Sequence, residues 1–251
     1  MARIGSTFNV WWSETMPVEK KFNPIPLVLA ALAIFIYFFF WRVGEPAPDL
    51  ARSAPIRAAL ESGDPQTWVA IGDSITAGTN SPFRYTDRVE EILRSRYPRA
   101  RLEFQNAGVP GDTASGGLNR LERDVLSRNP DVVFVEFGWN DFKNGVKPED
   151  FESDLSQLVG QLKAGGIPVI YLLTTTQVDV ALANWKIKKR NAIIRDIAEE
   201  NDCGLIDLYG YFALATQKGS SLDDLMSNDN IHPSGAGQEV IAQAIAHEFI
   251  P

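Results

Sequence analysis

The chain has 251 residues, of which 45% are apolar and 22% are charged, so it can bury a sizeable hydrophobic core. Its formal net charge of −8 argues against an electrostatic nucleic-acid binder, which normally presents a basic surface, and we expect no nucleic-acid partner. The single cysteine, Cys203, excludes an intrachain disulfide and any metal site that needs several cysteines.

An uncharged apolar run dominates the N-terminal part of the chain. Ile25 to Trp41 contain no charged residue, over a length at the lower end of the about 17–25 residues that a membrane-spanning helix needs. A cleaved signal peptide is one alternative, although no small-residue cleavage motif follows closely. A buried core helix is another, although the run has no polar face. We predict an uncleaved single-pass anchor over residues 25–43, preceded by a tail over residues 1–24.

The charges beside this anchor do not determine its orientation in the membrane. Lys20 and Lys21 on one side oppose Arg42, Arg52 and Arg57 on the other. Because single N-terminal anchors are often followed by an exported domain, we expect the rest of the chain to lie outside the cytoplasm, in the periplasm or the extracellular space.

The stretch after the anchor has the composition of a connecting segment. Residues 44–66 contain several prolines among short polar residues, which predicts a linker. Within it, a short helix is predicted over Ala54–Ser62.

A single domain is predicted over residues 67–251, where short apolar runs alternate with segments of helical periodicity. The predicted strands are Trp68–Ile71, Leu102–Gln105, Asp131–Phe137, Pro168–Leu173 and Leu205–Leu208. The predicted helices are Arg84–Arg96, Leu118–Ser127, Pro148–Ala164, Asn184–Glu200 and Ser234–Phe249. This alternation is typical of a three-layer α/β/α domain with a parallel sheet, in which ligands bind at the carboxyl ends of the strands.

The first predicted strand ends in a turn that could present a nucleophile. Val69–Ile71 is apolar, and Gly72 and Asp73 then lead to Ser74. Gly, Asp and Ser also fit an ordinary strand-ending turn, so this stretch alone does not establish catalysis. A serine hydroxyl is a poor nucleophile without a positioned base.

His232 is the histidine best placed to be that base. It lies in a polar loop before the last predicted helix, whereas His247 lies deep within that helix. Asp229 comes three residues before His232, close enough in a turn to contact its ring, fix its tautomer and stabilise its protonated form. A loop that only caps the helix through Ser234 is the alternative.

Two positions after neighbouring strands could stabilise a developing oxyanion. Asn140 follows the third strand and offers a side-chain amide, and Gly111 follows the second and offers a backbone N–H. Each also fits an ordinary turn. Asp73 and Asp141 are expected to hold loop N–H groups, and Asp112 to support the loop of Gly111.

These residues resemble the four blocks of the SGNH, or GDSL, hydrolases, which are named for Ser, Gly, Asn and His. The tripeptide Gly72-Asp73-Ser74 resembles the first block, and the stretch that holds Gly111 resembles the second. Gly138-x-Asn140-Asp141 resembles the third block, and Asp229-x-x-His232 resembles the last. The blocks occur in the family's order over residues 68–237, and the N-terminal segment lies outside the resemblance.

The resemblance implies an α/β fold with a five-stranded, flavodoxin-like parallel sheet and a serine ester hydrolase of the carboxylesterase, lipase or deacetylase type. It implies that Ser74, His232 and Asp229 form the catalytic triad, with an oxyanion hole made by the N–H groups of Ser74 and Gly111 and the amide of Asn140. No cofactor or metal is expected. The substrate would be a small-molecule, lipid or glycan acyl ester.

Trp139 departs from the small or polar residue often found before the asparagine of the third block. Its indole could narrow the acyl pocket or stack on a sugar ring, and we predict a substrate-binding role. Packing outward against the loop is the alternative.

Two other functions stay open from the sequence. The same site could act as an acyltransferase or thioesterase, passing or cleaving the same kind of acyl group. From a different class, the chain could be a membrane-tethered binding module for lipid or glycan that has lost activity.

Overall fold

The computed structural model describes residues 46–180 and 183–250. The strands of these residues are β1 (Pro65–Gly72), β2 (Arg101–Gly108), β3 (Val132–Glu136), β4 (Val169–Leu173) and β5 (Gly204–Ile206). The helices are α1 (Ala54–Ser62), α2 (Ser74–Ala77), α3 (Tyr85–Arg96), α4 (Ala114–Asp124), α5 (Trp139–Lys143), α6 (Pro148–Ala164), α7 (Ala183–Glu200), α8 (Leu208–Gln217), α9 (Leu222–Leu225) and α10 (Gly235–His247). A 3₁₀ turn, Leu126–Arg128, follows α4.

The five strands form one parallel sheet in the order β2-β1-β3-β4-β5. In the register of this sheet, Gly72 at the end of β1 lies beside Gly108 of β2 and Glu136 of β3. The carboxyl ends of these three strands are therefore level, and the segments that follow them meet at one edge of the sheet.

Alternate side chains of each strand enter two separate hydrophobic cores. Trp68 and Ala70 of β1 belong to one core, and Val69 and Ile71 belong to the other. Helices α3 and α10 pack in the first core, and α4 and α6 pack in the second. A sheet covered on both faces needs continuous apolar strands, because both sides of each strand are buried. The predicted three-layer α/β/α fold with a five-stranded parallel sheet is confirmed.

The segment before β1 packs on the domain, whereas the sequence predicts a linker over residues 44–66. Helix α1 covers the predicted range, and its Ile56 and Leu60 are buried in the first core. The Asp49 backbone N–H donates to a carboxylate oxygen of Glu248 at 2.8 Å. The prolines in this segment suggested a linker, but proline is tolerated in the first turn of a helix. Pro55 lies in the first turn of α1 and is therefore compatible with this packing.

Four helices have no counterpart among the predicted elements: α2, α5, α8 and α9. Helices α2, α5 and α9 have only four or five residues, which are too few for helical periodicity to be recognised in the sequence. Helix α8 starts at Leu208, which the sequence assigned to the fifth strand. The Asp207 side chain accepts a hydrogen bond from the Gly210 N–H and starts the helix there.

Across residues 46–180 and 183–250, every helix is too short or too polar to cross a membrane. The anchor predicted over residues 25–43 lies outside the described residues.

Candidate active site

Ser74 lies at the carboxyl end of β1, as the first residue of the four-residue helix α2. The turn before it leaves no space for a side chain on Gly72, because a Cβ there would lie 2.2 Å from Thr76 Oγ1 and 2.6 Å from the Glu136 carbonyl oxygen. The Asp73 side chain caps α2 by accepting from the Ile75 N–H at 2.8 Å. A buried strand and a capped turn therefore hold Ser74, whose exposed fraction is 4%.

The ring of His232, which lies in the loop before α10 near the C-terminal end of the domain, contacts Ser74. Its Nε2 atom lies 2.8 Å from Ser74 Oγ. The loop that carries His232 is closed at its base, because the Ser227 N–H donates to the His232 carbonyl oxygen at 2.7 Å and Met226 pairs with Pro233. The loop also caps the helix that follows it, which was the alternative role considered for it, because the Ser234 hydroxyl caps α10.

Asp229 contacts the opposite ring nitrogen of His232. Its Oδ2 atom lies 2.5 Å from His232 Nδ1, and its Oδ1 accepts from the backbone N–H groups of Ile231 at 3.0 Å and His232 at 2.9 Å. Partial burial alone would raise the pKa of Asp229, but the hydrogen bonds from His232 and Ile231 outweigh it and hold this pKa well below its usual range. The carboxylate therefore stays ionised at neutral pH.

Asn80 contacts Asp229, and the sequence did not indicate this contact. It adopts a left-handed backbone with φ 62° in the loop after α2. Its Nδ2 atom donates to Asp229 Oδ2 at 2.9 Å. The only signal for it was a turn-rich run of Thr79, Asn80, Ser81 and Pro82, which names no partner.

The two expected oxyanion donors lie at the same edge of the sheet as Ser74. Asn140 is buried in α5, directly after β3, and its Nδ2 donates to Asp73 Oδ2 at 3.0 Å. Gly111 lies in the loop after β2 with φ 84°, a left-handed backbone that favours glycine. Among the described residues other than its chain neighbours, none has a heavy atom within 4 Å of the position that a Cβ of Gly111 would take, so this side of the loop is open.

Arg120 of α4 ties that loop to the sheet, and the sequence did not indicate it either. Its guanidinium donates to the carbonyl oxygens of Ala107 at 2.6 Å and Gly72 at 3.0 Å, and to the Asp112 carboxylate at 2.7 Å. One nearly buried side chain therefore joins the ends of β1 and β2 to the loop of Gly111. Asp112 supports the loop, as expected, through this ion pair.

Three buried carboxyl groups lie beside the candidate oxyanion hole. Burial raises the pKa of Asp73 to about 6 and that of Asp141 to about 6. Asp141 accepts from the Ala114 N–H at 3.1 Å, which holds the start of α4, as expected. The third group is Glu136, the last residue of β3, which the sequence treated as an ordinary strand residue.

Trp139 is almost fully buried in the first core, with an exposed fraction of 5%. Its ring packs edge-on against Phe142, with 5.6 Å between the ring centroids. Little of the indole is thus available to a substrate, and the role predicted for Trp139 stays a prediction.

Metal ligands do not cluster in this domain. Within the part of the chain that the structure describes, no group of three or more His, Cys, Asp or Glu side chains is arranged to hold a metal ion.

Comparison with known proteins identifies relatives that cover most of the domain. The model of the GDSL-like lipase/acylhydrolase family matches residues 70–240. An arylesterase of Vibrio mimicus is 28% identical over 192 aligned positions, and the match covers 72% of this chain and 87% of that protein. An acetylxylan esterase of Geobacillus stearothermophilus is 26% identical over 219 aligned positions, and the match covers 76% of this chain and 96% of that protein.

The fold has close structural neighbours as well. The crystal structure of LAE5, an alpha/beta hydrolase from the metagenome of Lake Arreo, superposes with a TM-score of 0.65 at 27% identity, over 74% of this chain and 96% of that one. Because the family model spans more than half of the sequence and its related proteins are esterases, the chain belongs to the GDSL-like lipase/acylhydrolase family and is an esterase or acylhydrolase.

Proposed function

We propose that the protein hydrolyses carboxylic esters through a covalent acyl-enzyme formed on Ser74. The observation that carries this proposal is the unbroken chain of hydrogen bonds from Ser74 Oγ through the His232 ring to the Asp229 carboxylate. A nucleophile, a base and an orienting acid in contact constitute the arrangement by which a neutral serine becomes reactive.

In the acylation step, Ser74 Oγ attacks the ester carbonyl carbon while His232 Nε2 accepts the hydroxyl proton. Asp229, ionised at neutral pH, stabilises the positive charge that forms on the ring. The tetrahedral intermediate collapses, His232 donates the proton to the leaving alcohol, and the acyl group stays on Ser74. In the deacylation step, water attacks the acyl carbonyl carbon while His232 accepts a proton from it. The carboxylic acid is released as His232 returns the proton to Ser74 Oγ.

The negative charge of the tetrahedral oxygen falls to the N–H groups of Ser74 and Gly111 and the Asn140 amide. The contact between Asn140 and Asp73 supports this assignment. An amide nitrogen carries two hydrogens, and the bond to Asp73 uses one of them and fixes the plane of the amide. The other hydrogen is then oriented before the reaction starts, which is the condition for effective oxyanion stabilisation.

The substrate class that we propose is a small-molecule, lipid or glycan acyl ester, in keeping with relatives named arylesterase and acetylxylan esterase. We also propose that residues 25–43 anchor the protein in a membrane, with the catalytic domain outside the cytoplasm. A reporter of orientation fused to the C-terminus tests this placement, and a cytoplasmic signal would refute it.

Fluorophosphonate labelling of the full-length protein tests the nucleophile. We expect Ser74→Ala to abolish labelling and hydrolysis of p-nitrophenyl acetate. Ser81→Ala, in the neighbouring loop, is the matched control and should label like the wild type. Undiminished labelling of Ser74→Ala would contradict the assignment.

Product analysis separates hydrolysis from the other activities of such a site. With an ester substrate and an added acceptor alcohol, hydrolysis releases the free acid, whereas acyl transfer yields a new ester. Cleavage of acyl thioesters in preference to oxygen esters would indicate a thioesterase. A flat rate on every ester, together with saturable binding of lipid or glycan, would indicate an inactive binding module.

A further inference from the structure

A fully buried carboxyl group lies behind the candidate oxyanion hole and has no part in the mechanism above. Glu136 ends β3, and its exposed fraction is 0%. Its Oε2 atom accepts from Thr76 Oγ1 at 3.1 Å, and Thr76 Oγ1 in turn lies 3.1 Å from the Tyr85 hydroxyl. Its Oε1 atom is buried and accepts no hydrogen bond from the described residues.

Gly72, the residue before Asp73, is the register partner of Glu136 across β1 and β3, and Asp73 is also fully buried. Interaction between the two carboxyl groups as a side-chain hydrogen bond lowers the pKa of Asp73 and raises that of Glu136. Two carboxylates cannot share a hydrogen bond unless one of them carries a proton. Two adjacent negative charges in a buried site would also repel each other strongly. A single proton on one of the two carboxyl groups supplies the hydrogen-bond donor and removes one of the two negative charges.

The surroundings favour Glu136 as the group that holds this proton. Burial, followed by the negative charge of Asp73, raises the pKa of Glu136 well above its ordinary value. Burial raises the pKa of Asp73 only to about 6, because the Ile75 N–H and the side-chain hydrogen bond with Glu136 lower it, as does, more weakly, the nearby His232 ring. The other titratable groups that face the pair are Asp141 and Tyr85.

We propose that Glu136 is a positioning residue that stays protonated at neutral pH and donates its O–H to Asp73, which thereby aims the Asn140 amide at the oxyanion. This inference rests on the oxyanion role proposed for Asn140. The Asp73 carboxylate then accepts three hydrogen bonds. The Ile75 N–H donates to its Oδ1 at 2.8 Å, Asn140 Nδ2 donates to its Oδ2 at 3.0 Å, and the Glu136 hydroxyl is the third donor. Three donors fix the rotation of the carboxylate, and with it the plane of the amide.

The neutral state of Glu136 also serves the reaction electrostatically. The oxyanion forms beside Asn140, so that every additional negative charge nearby opposes it in a poorly solvated site. A protonated Glu136 keeps the buried pair at one negative charge instead of two. Glu136 contacts neither substrate nor reacting atoms in this scheme, and it acts only through Asp73.

Two substitutions distinguish a neutral donor from an anion. Glu136→Gln keeps an N–H donor toward Asp73 and an oxygen toward Thr76, and we expect kcat, KM and the pH profile of p-nitrophenyl acetate hydrolysis to stay close to wild type. Glu136→Leu removes the donor, and we expect kcat to fall about 10- to 100-fold, less than the loss of a whole oxyanion donor, with KM nearly unchanged.

The matched control is Glu248→Leu, which removes another buried carboxyl with a raised pKa, far from Ser74 in sequence and outside the site. It should lower thermal stability and leave kcat unchanged. Equal kcat losses in Glu136→Gln and Glu136→Leu would overturn the inference, as would an unchanged kcat in Glu136→Leu.

Infrared spectroscopy gives a readout that does not depend on activity or on the folding of Glu136→Leu. The difference spectrum of wild type and Glu136→Gln at neutral pH should contain the C=O stretch of a protonated carboxylic acid, and its absence would overturn the inference. A wild-type protein that hydrolyses no ester would instead refute the proposed function. The infrared band would still show whether Glu136 holds a proton.

Discussion

Replacement of Asn140 by alanine removes one donor from the proposed oxyanion hole and leaves the triad in place. Asn140 is nearly fully buried, and its Nδ2 lies 3.0 Å from Asp73 Oδ2. Alanine has no amide, so that the developing oxyanion keeps only the N–H groups of Ser74 and Gly111. Loss of one such donor typically costs about 2.7–4 kcal/mol, and we expect kcat to fall by about 10²–10³. KM should change little, because the donor acts mainly in the transition state.

The same substitution also removes a hydrogen bond from Asp73, which costs about 1–3 kcal/mol of folding free energy when a buried acceptor loses its partner. Stability and catalysis must therefore be measured separately. Thermal unfolding gives the first, and kcat and KM on p-nitrophenyl acetate give the second, both with the full-length protein.

Asn191→Ala is the matched control for Asn140→Ala. Asn191 is also buried, and its Oδ1 accepts from the Thr175 N–H at 3.0 Å and the Thr175 hydroxyl at 2.8 Å. We expect a comparable loss of stability with an unchanged kcat. A normal kcat in Asn140→Ala, or an equal kcat loss in both variants, would refute the oxyanion role.

Two further predictions concern Asn80 and Glu248. Asn80→Ala removes a donor to Asp229 Oδ2, and we expect kcat to fall roughly tenfold, equivalent to about 1.4 kcal/mol; an unchanged kcat would contradict a role in holding the proposed triad. Burial raises the pKa of Glu248 to about 7 from 4.5. The folded protein therefore binds an additional proton within that window, and its stability falls as the pH rises through it, by up to about 3 kcal/mol. Glu248→Gln should narrow the difference in Tm between about pH 5 and about pH 8, and an unaltered difference would refute this reasoning.

The fold class was predictable because its signals are local. β1 and β3 are short apolar runs between turn residues, and α6 was predicted with the bounds it has, since proline begins it and its apolar residues recur at helical spacing. The contact between Asp229 and His232 was also predictable from a local signal, because a separation of three residues in a turn brings the carboxylate of Asp229 to the ring of His232.

The tertiary structure alone decided which of these local features meet. Ser74 and His232 are 158 positions apart, and no periodicity relates them; the parallel sheet and the loop before α10 bring them to 2.8 Å. Asn140 could be proposed from its place after a strand, but its contact with Asp73 requires β1 and β3 to be neighbours.

The residues that sequence reasoning missed are those whose sequence context indicates which helix, strand or turn they belong to but not which side chain or backbone group they contact. Glu136 fits a strand end, Arg120 fits a polar helix position, and Asn80 fits a turn. Their burial, charge state and contacts come from chain segments far away in sequence, because a buried polar group is matched by whichever donor or acceptor the fold places beside it. The sequence by itself therefore determined the fold class and family of this protein, and only the packing of β1, β2 and β3 decided that Glu136, Arg120 and Asn140 lie at the edge of the sheet that holds Ser74.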